Sequence, residues 1–543
     1  MDGRAAAAGP GGVRGGGAAL LPAGRRPQRG ARAAAGPRPR PLGRGVPARP
    51  QAAGGDGGPV HDLDAAAPLR GPGRGAVALA RPGRGVAPAR PARPPAPGEE
   101  VVVRVDRLAY GGAGVGRLDG FVVFVEGAAP EETVRARIRR VRRRHAEAVV
   151  AAVEAASPAR IEPRCPHVRD DCGGCRWQHV AYPAQAQAKA AIVRESLAHL
   201  GGFGDVPVAP ILTPPEPWYY RNKMEFSFHP DGVLGLHRHG AWDRIVSLQT
   251  CFLQSPRAVA LVHAARAFAL EHGLSLYDPR TRQGFLRRLV VREGRRTGET
   301  MVVLVTRSGP FPQAQAFAER MVATDPSVVS VVRGTSDAPS DGAPLEAVEV
   351  LHGREAIAER VGELTFRIGP ETFFQTSTWG AERLTDLVLR FAEPARGGLV
   401  FDLYCGVGTF TLALARLARH AAGVEVASAA VEAARQNAAH NGIGNATFHA
   451  GDVRLVLPAL LEQLGTPQVI VLDPPRAGAG ARVMRKIGRA GVLRVVYVSC
   501  NPTTLAPDLR ELAAFGYRIA AVQPVDLFPQ TYHVETVVAL DRT

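Results

Sequence analysis

Between residues 399 and 515 the chain alternates short apolar segments with longer stretches of helical spacing. Strands that alternate with helices in this way form a doubly wound α/β sheet. In such sheets, ligands bind just outside the carboxyl ends of the strands. The segments that follow the predicted strands are Asp402-Leu-Tyr-Cys-Gly-Val-Gly408, Gly451-Asp452, Asp473-Pro-Pro-Arg476 and Ser499-Cys-Asn-Pro502. We therefore predict a Rossmann-like α/β sheet with its ligand site at these four turns.

The first of these turns has the composition of a nucleotide-binding loop. Gly406 and Gly408 allow the backbone to approach a ligand closely, and Glu425 ends the next apolar segment, 23 positions after Asp402. An acidic residue at about that distance is placed to accept hydrogen bonds from ribose hydroxyls. The spacing fits a nicotinamide enzyme or an adenosylmethionine enzyme. Because Thr411 breaks the full Gly-x-Gly-x-x-Gly pattern and two later strands end in aspartate, methyl transfer is favoured.

A cysteine follows the last of these predicted strands. Residues 493–498 are apolar apart from one arginine, and Cys500 stands where that strand ends. Near the C-terminus, Glu535 directly precedes a second apolar run at 536–540. On neighbouring strand ends, Cys500 and Glu535 make a candidate nucleophile and general base. Taken alone, Cys500 is explained equally well as a buried structural thiol, and Glu535 as a surface glutamate.

The N-terminal part has no pattern that predicts a core. Residues 1–98 are almost entirely Ala, Gly, Pro and Arg, and we predict that they are disordered. They carry sixteen arginines and four aspartates, which is +12 of the chain's net charge of +17, so the remainder is only mildly basic. This tail is either a weak nucleic-acid-binding arm or, as we favour, a mistranslated upstream region.

Residues 99–156 have the spacing of a small β-barrel. Four short strands are predicted at 101–105, 121–125, 133–138 and 147–153, and Gly111–Gly116 is predicted to supply turns. Between the last two strands, residues 139–144 include five arginines, which suit RNA phosphates. A solvated run of charges is the alternative.

Four cysteines downstream have the spacing of a metal site. Cys172 and Cys175 are separated by two residues, and Cys165 and Cys251 can supply two more thiolates. Four sulfur ligands suit zinc or an iron–sulfur cluster, and spacing does not separate the two. The alternative is a lone pair of thiols plus unrelated structural cysteines. His167 is a further candidate ligand, although such a residue more often caps its loop.

The rest of the segment 157–365 predicts an α+β domain. Within it, Trp218–Phe228 mixes aromatic and cationic side chains, which suits either unpaired bases or a half-buried strand. Six cysteines in 543 residues do not make a disulfide scaffold, and no run reaches the roughly 18 apolar residues of a membrane span. Because no N-terminal signal pattern is present either, we expect a cytoplasmic protein without membrane contact.

The chain resembles the bacterial RNA 5-methyluridine methyltransferases in four motifs. They are Asp402-Leu-Tyr-Cys-Gly-Val-Gly-Thr-Phe410, Asp473-Pro-Pro-Arg476, Val498-Ser-Cys-Asn-Pro502 and His533-Val-Glu-Thr-Val537. Residues 108–117 and 124–128 also resemble a TRAM domain, a small RNA-binding barrel. With the barrel and the four cysteines, the chain is most similar to the branch that modifies large-subunit ribosomal RNA.

This resemblance implies an architecture and two cofactors. It implies an OB-like TRAM barrel at 99–156, a central iron–sulfur and RNA-binding domain at 157–365, and a class I methyltransferase domain at 366–543. The cofactors are S-adenosylmethionine and a [4Fe-4S] cluster. Carried over by motif, the S-adenosylmethionine-binding residues are Gln375, Tyr404, Thr409, Glu425, Asp452 and Asp473, and the cluster ligands are Cys165, Cys172, Cys175 and Cys251.

The same resemblance implies a reaction. Cys500 would add to carbon 6 of uracil, and Glu535 would later remove the proton from carbon 5. We expect the substrate to be a uridine in 23S rRNA, and the protein to act as a monomer without a protein partner. A tRNA methyltransferase, a non-catalytic RNA-binding protein and an iron–sulfur redox protein are the alternatives. Amino-group methylation is disfavoured, because Arg476 stands where those enzymes have an aromatic residue.

Overall fold

The computed structural model describes residues 94–204, 206–340 and 343–543. The prediction that residues 1–98 are disordered therefore falls almost wholly outside the described residues. Within these described ranges, no helix is long and apolar enough to cross a membrane.

The first five strands close into a small barrel. They are β1 (Glu100–Leu108), β2 (Gly114–Leu118), β3 (Phe121–Glu126), β4 (Thr133–Val141) and β5 (His145–Ala155). Their order is β1-β2-β3-β5-β4, with β3 and β5 parallel and the remaining pairs antiparallel. Alternate side chains fill the interior, as Val101, Val103 and Val105 do in β1. The predicted barrel is therefore present.

One prediction within the barrel is wrong. Gly111–Gly116 is predicted to supply turns, but its second half belongs to β2, which pairs with both β1 and β3. Gly116 is needed there for close approach, because a Cβ on it would lie 2.3 Å from the carbonyl oxygen of Arg104. This glycine therefore marks a crowded strand contact and not a turn.

A second sheet follows the barrel, after a 3-10 helix (Pro166–Val168), helix α1 (Tyr182–Ser196) and a π-helical turn (Leu197–Gly201). Its strands are β6 (Lys223–His229), β7 (Val233–His237), β8 (Ile245–Ser247), β9 (Leu286–Glu293), β10 (Thr300–Thr306), β11 (Val328–Thr335) and β12 (Ala347–Gly353). They lie in the order β12-β11-β10-β9-β6-β7-β8. Helices α2 (Pro256–Glu271) and α3 (Ala314–Thr324) pack on one face. This segment has the predicted α+β character.

A hairpin of β13 (Ile357–Val361) and β14 (Leu364–Ile368) leads into the C-terminal sheet. The strands of that sheet are β15 (Leu399–Leu403), β16 (His420–Glu425), β17 (Ala446–Ala450), β18 (Val469–Leu472), β19 (Arg494–Ser499), β20 (Tyr517–Val525) and β21 (Glu535–Arg542). Their order is β17-β16-β15-β18-β19-β21-β20. Strands β15 to β19 run parallel, and β21 is antiparallel to both of its neighbours.

Helices cover both faces of this sheet. They are α4 (Thr378–Phe391), α5 (Thr409–Ala415), α6 (Ser428–His440), α7 (Val453–Leu464), α8 (Gly480–Ala490) and α9 (Pro502–Ala513), and a 3-10 helix lies at Glu393–Ala395. Along β15, Phe401 packs with α7, α8 and α9, whereas Val400 packs with α4 and α5. Because successive side chains of a strand point to opposite faces, a strand covered on both sides is apolar throughout. This is the predicted doubly wound sheet.

Trp177 joins the barrel to the C-terminal sheet. Its fully buried indole Nε1 donates to the carbonyl oxygen of Gly112 in the β1–β2 loop, at an N···O distance of 2.9 Å. Its backbone N–H donates to the carbonyl oxygen of Gln530, between β20 and β21, at 3.0 Å. One residue thus holds a barrel loop against the loop that leads into β21. The division of the chain at residues 98, 156 and 365 remains a prediction.

Candidate active site

Cys500 and Glu535 lie side by side at the carboxyl edge of the C-terminal sheet. β19 ends at Ser499 and β21 begins at Glu535, and the two strands pair with Ser499 opposite Thr536. Residues directly opposite each other in an antiparallel pair lie about 4.5–5.5 Å apart at their Cα atoms. Continued by one position, this register brings Cys500 opposite Glu535. The structure therefore brings together the two residues that the sequence separates by 35 positions.

The turn after Cys500 is tied to the Asp473-Pro-Pro-Arg476 turn. Asn501 caps α9, since its side-chain oxygen accepts a hydrogen bond from the N–H of Thr503 at 3.0 Å. Its side-chain nitrogen donates to the carbonyl oxygen of Arg476 at 3.2 Å. Two of the predicted motifs therefore form one surface, with the exposed Arg476 beside the half-buried thiol.

Burial raises the pKa of both members of the pair. The pKa of the Cys500 thiol rises to about 12, first because the site excludes water and then because the carboxylates of Glu535 and Asp473 are close. The pKa of Glu535 lies well above its usual range, again through burial and then through Asp473. The Arg476 guanidinium opposes both shifts. The site therefore favours the protonated thiol unless further positive charge is brought to it.

Four half-buried aromatic side chains stand next to the pair, and we call them the aromatic shelf: Tyr110, Phe528, Tyr532 and His533. The ring of Tyr532 lies 5.4 Å from that of Tyr110 and 4.2 Å from that of His533, measured between centroids. The Tyr110 hydroxyl donates to the carbonyl oxygen of Cys500 at 3.4 Å. Burial, and then the nearby Arg476, lower the pKa of His533 to about 3, so its imidazole is neutral.

Sequence reasoning missed Tyr110 as a site residue. It comes from the β1–β2 loop of the barrel, 390 positions before Cys500, and its segment contributes only to the TRAM resemblance. Burial raises the pKa of its phenol, and Cys500 is the next cause. A tyrosine in a glycine-rich loop is a weak signal by itself, because only the folded chain shows which site the loop reaches.

The loop from β15 to α5 carries the predicted S-adenosylmethionine-binding residue Tyr404, leads into Thr409, and lies against Glu425 at the end of β16. Tyr404, Gly406 and Gly408 have φ angles of +67°, +53° and +86°. A tyrosine with positive φ is uncommon and is found at functional turns. The N–H of Gly406 donates to the Glu425 carboxylate at 3.2 Å, and Thr409 begins α5. Tyr404, Thr409 and Glu425 therefore surround one turn.

Thr411, which breaks the glycine pattern, has a structural role. Its hydroxyl donates to Oδ2 of the fully buried Asp402 at 2.6 Å. The other oxygen of Asp402 has no hydrogen-bond partner among the described residues, and burial raises the pKa of this carboxyl to about 7. A glycine at position 411 would remove the hydroxyl that donates to this buried carboxyl.

Two further predicted residues meet beside this turn. The side chain of Gln375 donates to Oδ2 of Asp473 at 3.3 Å. Burial raises the pKa of Asp473 to about 7, and the neighbouring Asp402 adds to the rise. Asp452 caps α7 and forms an ion pair with Arg454. Burial raises the pKa of Tyr404, and the nearby Asp452 carboxylate adds to this rise. The six predicted residues thus lie along one edge of the sheet.

The four predicted cysteine ligands line one cavity. Burial raises the pKa of each thiol, to about 11 for Cys172 and about 12 for Cys175, and Cys251 acts on the other three. Within the described ranges, however, no group of three or more His, Cys, Asp or Glu side chains is arranged to hold a metal ion. The cysteines therefore share a site without the geometry of a single-ion centre.

His167 caps the loop that lines this cavity. Its ring is buried, and its Nε2 accepts a hydrogen bond from the backbone N–H of Gln249 at 3.0 Å. Its Nδ1 lies 3.3 Å from the Asp170 carboxylate. Both ring nitrogens are thus engaged with protein groups, and His167 ties the first three cysteines to the segment that carries Cys251. The capping interpretation fits better than the ligand interpretation.

In the segment Trp218–Phe228, buried residues alternate with half-buried or exposed ones. Tyr220, Phe226 and Phe228 are buried, and the latter two lie in β6. Trp218 stays half-buried, and the guanidinium of Arg164 stacks over its ring at 5.3 Å from the centroid. The half-buried-strand interpretation therefore accounts for most of this segment, and an aromatic–cation surface is left only at its start.

Comparison with known proteins agrees with these features. Residues 96–151 match the TRAM domain, and residues 349–455 and 460–543 match the family described as tRNA (Uracil-5-)-methyltransferase. A Gloeobacter violaceus protein described as an uncharacterized RNA methyltransferase is 43% identical over 84% of this chain and 99% of its own length. A Bacillus cereus protein with the same description is 36% identical over 82% of this chain and 97% of its own.

A solved structure extends the match to the fold. The Pyrococcus abyssi tRNA (uracil-54, C5)-methyltransferase, in complex with S-adenosyl-L-homocysteine, superposes with a TM-score of 0.65. It is 29% identical and covers 81% of this chain and 99% of its own. The predicted class I methyltransferase fold, the TRAM barrel and the use of S-adenosylmethionine are therefore confirmed. The chain belongs to the RNA uracil-5-methyltransferase family, whose members transfer a methyl group from S-adenosylmethionine to RNA.

Proposed function

We propose that this enzyme methylates carbon 5 of a uridine through a covalent bond between Cys500 and carbon 6 of the base. The observation that supports this most directly is the register of β19 and β21, which brings Cys500 opposite Glu535. A nucleophile and a base on opposite positions of paired strands are held at a fixed separation. A structural thiol would not need a buried carboxyl beside it.

Cys500 acts first. Carbon 5 of uracil is a poor nucleophile, and addition of the thiolate to carbon 6 pushes electrons towards carbon 5. S-adenosylmethionine, which Tyr404, Thr409 and Glu425 would hold beside the β15–α5 turn, would supply the electrophilic methyl group that carbon 5 accepts. Arg476 assists the attack, because its charge lowers the pKa of the thiol in a site that otherwise raises it. A thiol also suits the last step, since sulfur leaves readily.

Glu535 acts second. After methylation, carbon 5 carries both the methyl group and the original hydrogen. Glu535 removes that proton, the electrons of the C–H bond form the C5–C6 double bond, and the Cys500 thiolate leaves. Burial raises the pKa of Glu535 well above its usual range, which makes its carboxylate a stronger base than an exposed glutamate.

The remaining predicted residues are assigned to cofactor binding. Glu425 would accept from the ribose hydroxyls, as its position beside the glycine turn supports. Tyr404, Thr409, Asp452, Gln375 and Asp473 line the rest of the edge. The carboxylates of the buried Asp402 and the half-buried Asp473 favour a ligand that carries positive charge, since such a charge would lower both raised pKa values.

The aromatic shelf would receive the target base. A uridine within folded RNA must leave its stack to reach Cys500, and half-buried rings can stack on an extruded base. The neutral imidazole of His533 suits such contact because it adds no charge to desolvate. The barrel would bind the flanking backbone through exposed arginines of β4 and the turn after it, which include Arg137, Arg139, Arg140 and Arg144.

The four thiols would bind a [4Fe-4S] cluster. Their chemistry and their shared cavity fit either zinc or a cluster. The resemblance of the chain to the branch of the family with these four cysteines favours the cluster over zinc. The reaction above needs no electron, and the cluster would therefore have a structural or RNA-positioning role.

We propose 23S rRNA as the substrate, on the combination of the barrel and the four-cysteine cavity. Transfer RNA is the second candidate, since the Pyrococcus abyssi protein that the chain resembles is a tRNA methyltransferase. We also propose that the enzyme acts as a monomer in the cytoplasm, without a protein partner.

The first prediction separates the roles of Cys500 and Glu535. Cys500→Ala should abolish both methylation and any covalent RNA complex. Glu535→Gln should permit attack and methylation but block proton removal, so enzyme stays bonded to methylated RNA and migrates slowly on a denaturing gel. Glu462→Gln, an exposed glutamate on α7, is the matched control and should behave as wild type. A Glu535→Gln enzyme that is inactive without an adduct would place Glu535 in an earlier step.

The second prediction concerns the charge of Cys500 in the free enzyme. Since its pKa is raised, little thiolate is present at pH 7, and alkylation by iodoacetamide should accelerate about tenfold per pH unit between pH 7 and 10. Arg476→Gln should slow the reaction at each pH, and Glu535→Gln should speed it. Peptide mass spectrometry separates Cys500 from the other thiols, and Arg482→Gln, exposed on α8, is the control. A rate independent of pH above 7 would contradict the raised pKa.

The third prediction concerns the four-cysteine cavity. Protein purified without oxygen should contain iron and acid-labile sulfide and should be brown. Cys172→Ser should lose both, because one of four ligands is removed, whereas Cys405→Ser, which lies in the cofactor turn, should retain them. Metal analysis and the absorption spectrum provide the measurement. A colourless protein with stoichiometric zinc would overturn the cluster assignment.

The fourth prediction identifies the RNA. A strain that lacks this gene should lose 5-methyluridine at defined sites of 23S rRNA when its RNA is mapped by mass spectrometry. Wild-type enzyme should restore the modification and Cys500→Ala should not. An unchanged rRNA map together with loss of the nucleoside from tRNA would establish the second candidate instead.

A further inference from the structure

The loop between β20 and β21 is held by a buried ion pair that the reaction does not use. Lys189 on α1 and Asp526 at the start of the loop are both fully buried, and their charged atoms lie 2.6 Å apart. The Lys189 ammonium also donates to the carbonyl oxygen of Phe528 at 2.9 Å, and the Tyr182 hydroxyl donates to Asp526 at 3.1 Å. Burying a charge pair is costly, so such a pair is better evidence for a specified conformation than for stability.

Gln530, four residues further on, is also held by α1. Its φ of +69° lies in the left-handed region, which a glutamine adopts rarely. The side chain of Gln185 on α1 accepts from its backbone N–H at 2.9 Å and donates to its side-chain oxygen at 2.9 Å. Both glutamines are buried. A strained backbone persists only where its surroundings hold it in place, and here α1 does so.

The same residue contacts the segment that follows the cysteines. The backbone N–H groups of Arg176 and Trp177 both donate to the carbonyl oxygen of Gln530, at 2.9 and 3.0 Å. Cys175 is the residue directly before Arg176. The Tyr220 hydroxyl donates to the neighbouring carbonyl oxygen of Pro529 at 3.0 Å. The carbonyl group of Gln530 therefore connects the segment after Cys175 to the loop that ends at Glu535.

The residues assigned to the reaction follow directly after these contacts in the chain. Polar contacts from α1, Tyr220 and the post-cysteine segment fall on residues 526–530, and Tyr532, His533 and Glu535 follow within five positions. Glu535 has a fixed place only if the chain enters β21 at a fixed angle. A small displacement of a reacting group is enough to slow a step strongly.

We propose that Gln185 and Gln530 are positioning residues that orient Glu535 for proton removal. Residues 176–177, which directly follow Cys175, hold the same loop through the carbonyl group of Gln530. This inference rests on the proposed function. It assigns the four-cysteine site a role in the second half of the reaction and not in the attack by Cys500. Loss of the Gln185 contacts should therefore affect the release of the enzyme from RNA more than the formation of the bond.

The experiment measures the two halves separately. RNA with 5-fluorouridine at the target carries a C–F bond in place of the C–H bond that Glu535 breaks. The reaction therefore stops at the methylated adduct, and its rate reports attack and methyl transfer without proton removal. With unmodified RNA, the decay of the adduct reports proton removal. Gln185→Met, which keeps the length of the side chain, should slow adduct decay about tenfold or more and change the rate of attack far less. Gln187→Met, exposed on the same helix, is the control.

Gln530→Gly provides a second, gentler variant, because glycine adopts the left-handed backbone freely and only the side-chain contact is lost. It should give an intermediate slowing of adduct decay. Hydrogen exchange in residues 526–535 should be faster in Gln185→Met and in Cys172→Ser than in wild type. Equal slowing of both steps, or normal decay in Gln185→Met, would overturn the positioning role. A wild-type enzyme that forms no adduct with 5-fluorouridine RNA would instead overturn the proposed reaction.

Discussion

The pairing of β19 with β21 determines the geometry of the candidate active site. β21 runs antiparallel between β19 and β20, so its first residue lies at the same edge of the sheet as the last residues of the parallel strands. That reversal brings Glu535 opposite Cys500 and beside the turns that follow β15 and β18. In a sheet with parallel strands only, the start of the strand would lie at the other edge, and the carboxyl would be far from the thiol.

Burial at this edge produces a consistent electrostatic pattern. Asp402, Asp473 and Glu535 all have raised pKa values, and the pKa of Cys500 is raised with them. Such a site stabilises added positive charge and disfavours a free thiolate. The carboxyls of Glu535 and Asp473 therefore raise the pKa of the Cys500 thiol further after burial, and the Arg476 guanidinium lowers the pKa of both the thiol and Glu535. A positive charge at this edge would therefore lower the pKa of the thiol and of the carboxyls together.

The sequence predicts those parts of the fold and site that depend on neighbouring residues. Periodicity predicts the doubly wound sheet, and the turns after its strands predict Cys500 and Asp473, because each motif lies within one turn, whereas Tyr404 is carried over from the family motif. The same reasoning fails for Gly111–Gly116, since a glycine needed for close strand contact has the same appearance as a glycine needed for a turn. It also misses Tyr110, whose contact with Cys500 spans 390 positions.

The contacts that the sequence does not predict join residues that lie far apart in the chain. The bonds between Gln185 and Gln530 span 345 positions, and the Lys189–Asp526 pair spans 337. Groups that carry chemistry must be particular residue types at particular turns, and such turns are visible in a sequence. Groups that hold those turns in place need only a hydrogen bond of the right length, which any of several residues on a distant helix can supply. The contacts that hold the loop before Glu535 therefore come from residues that no local pattern identifies, and only the packed structure reveals them.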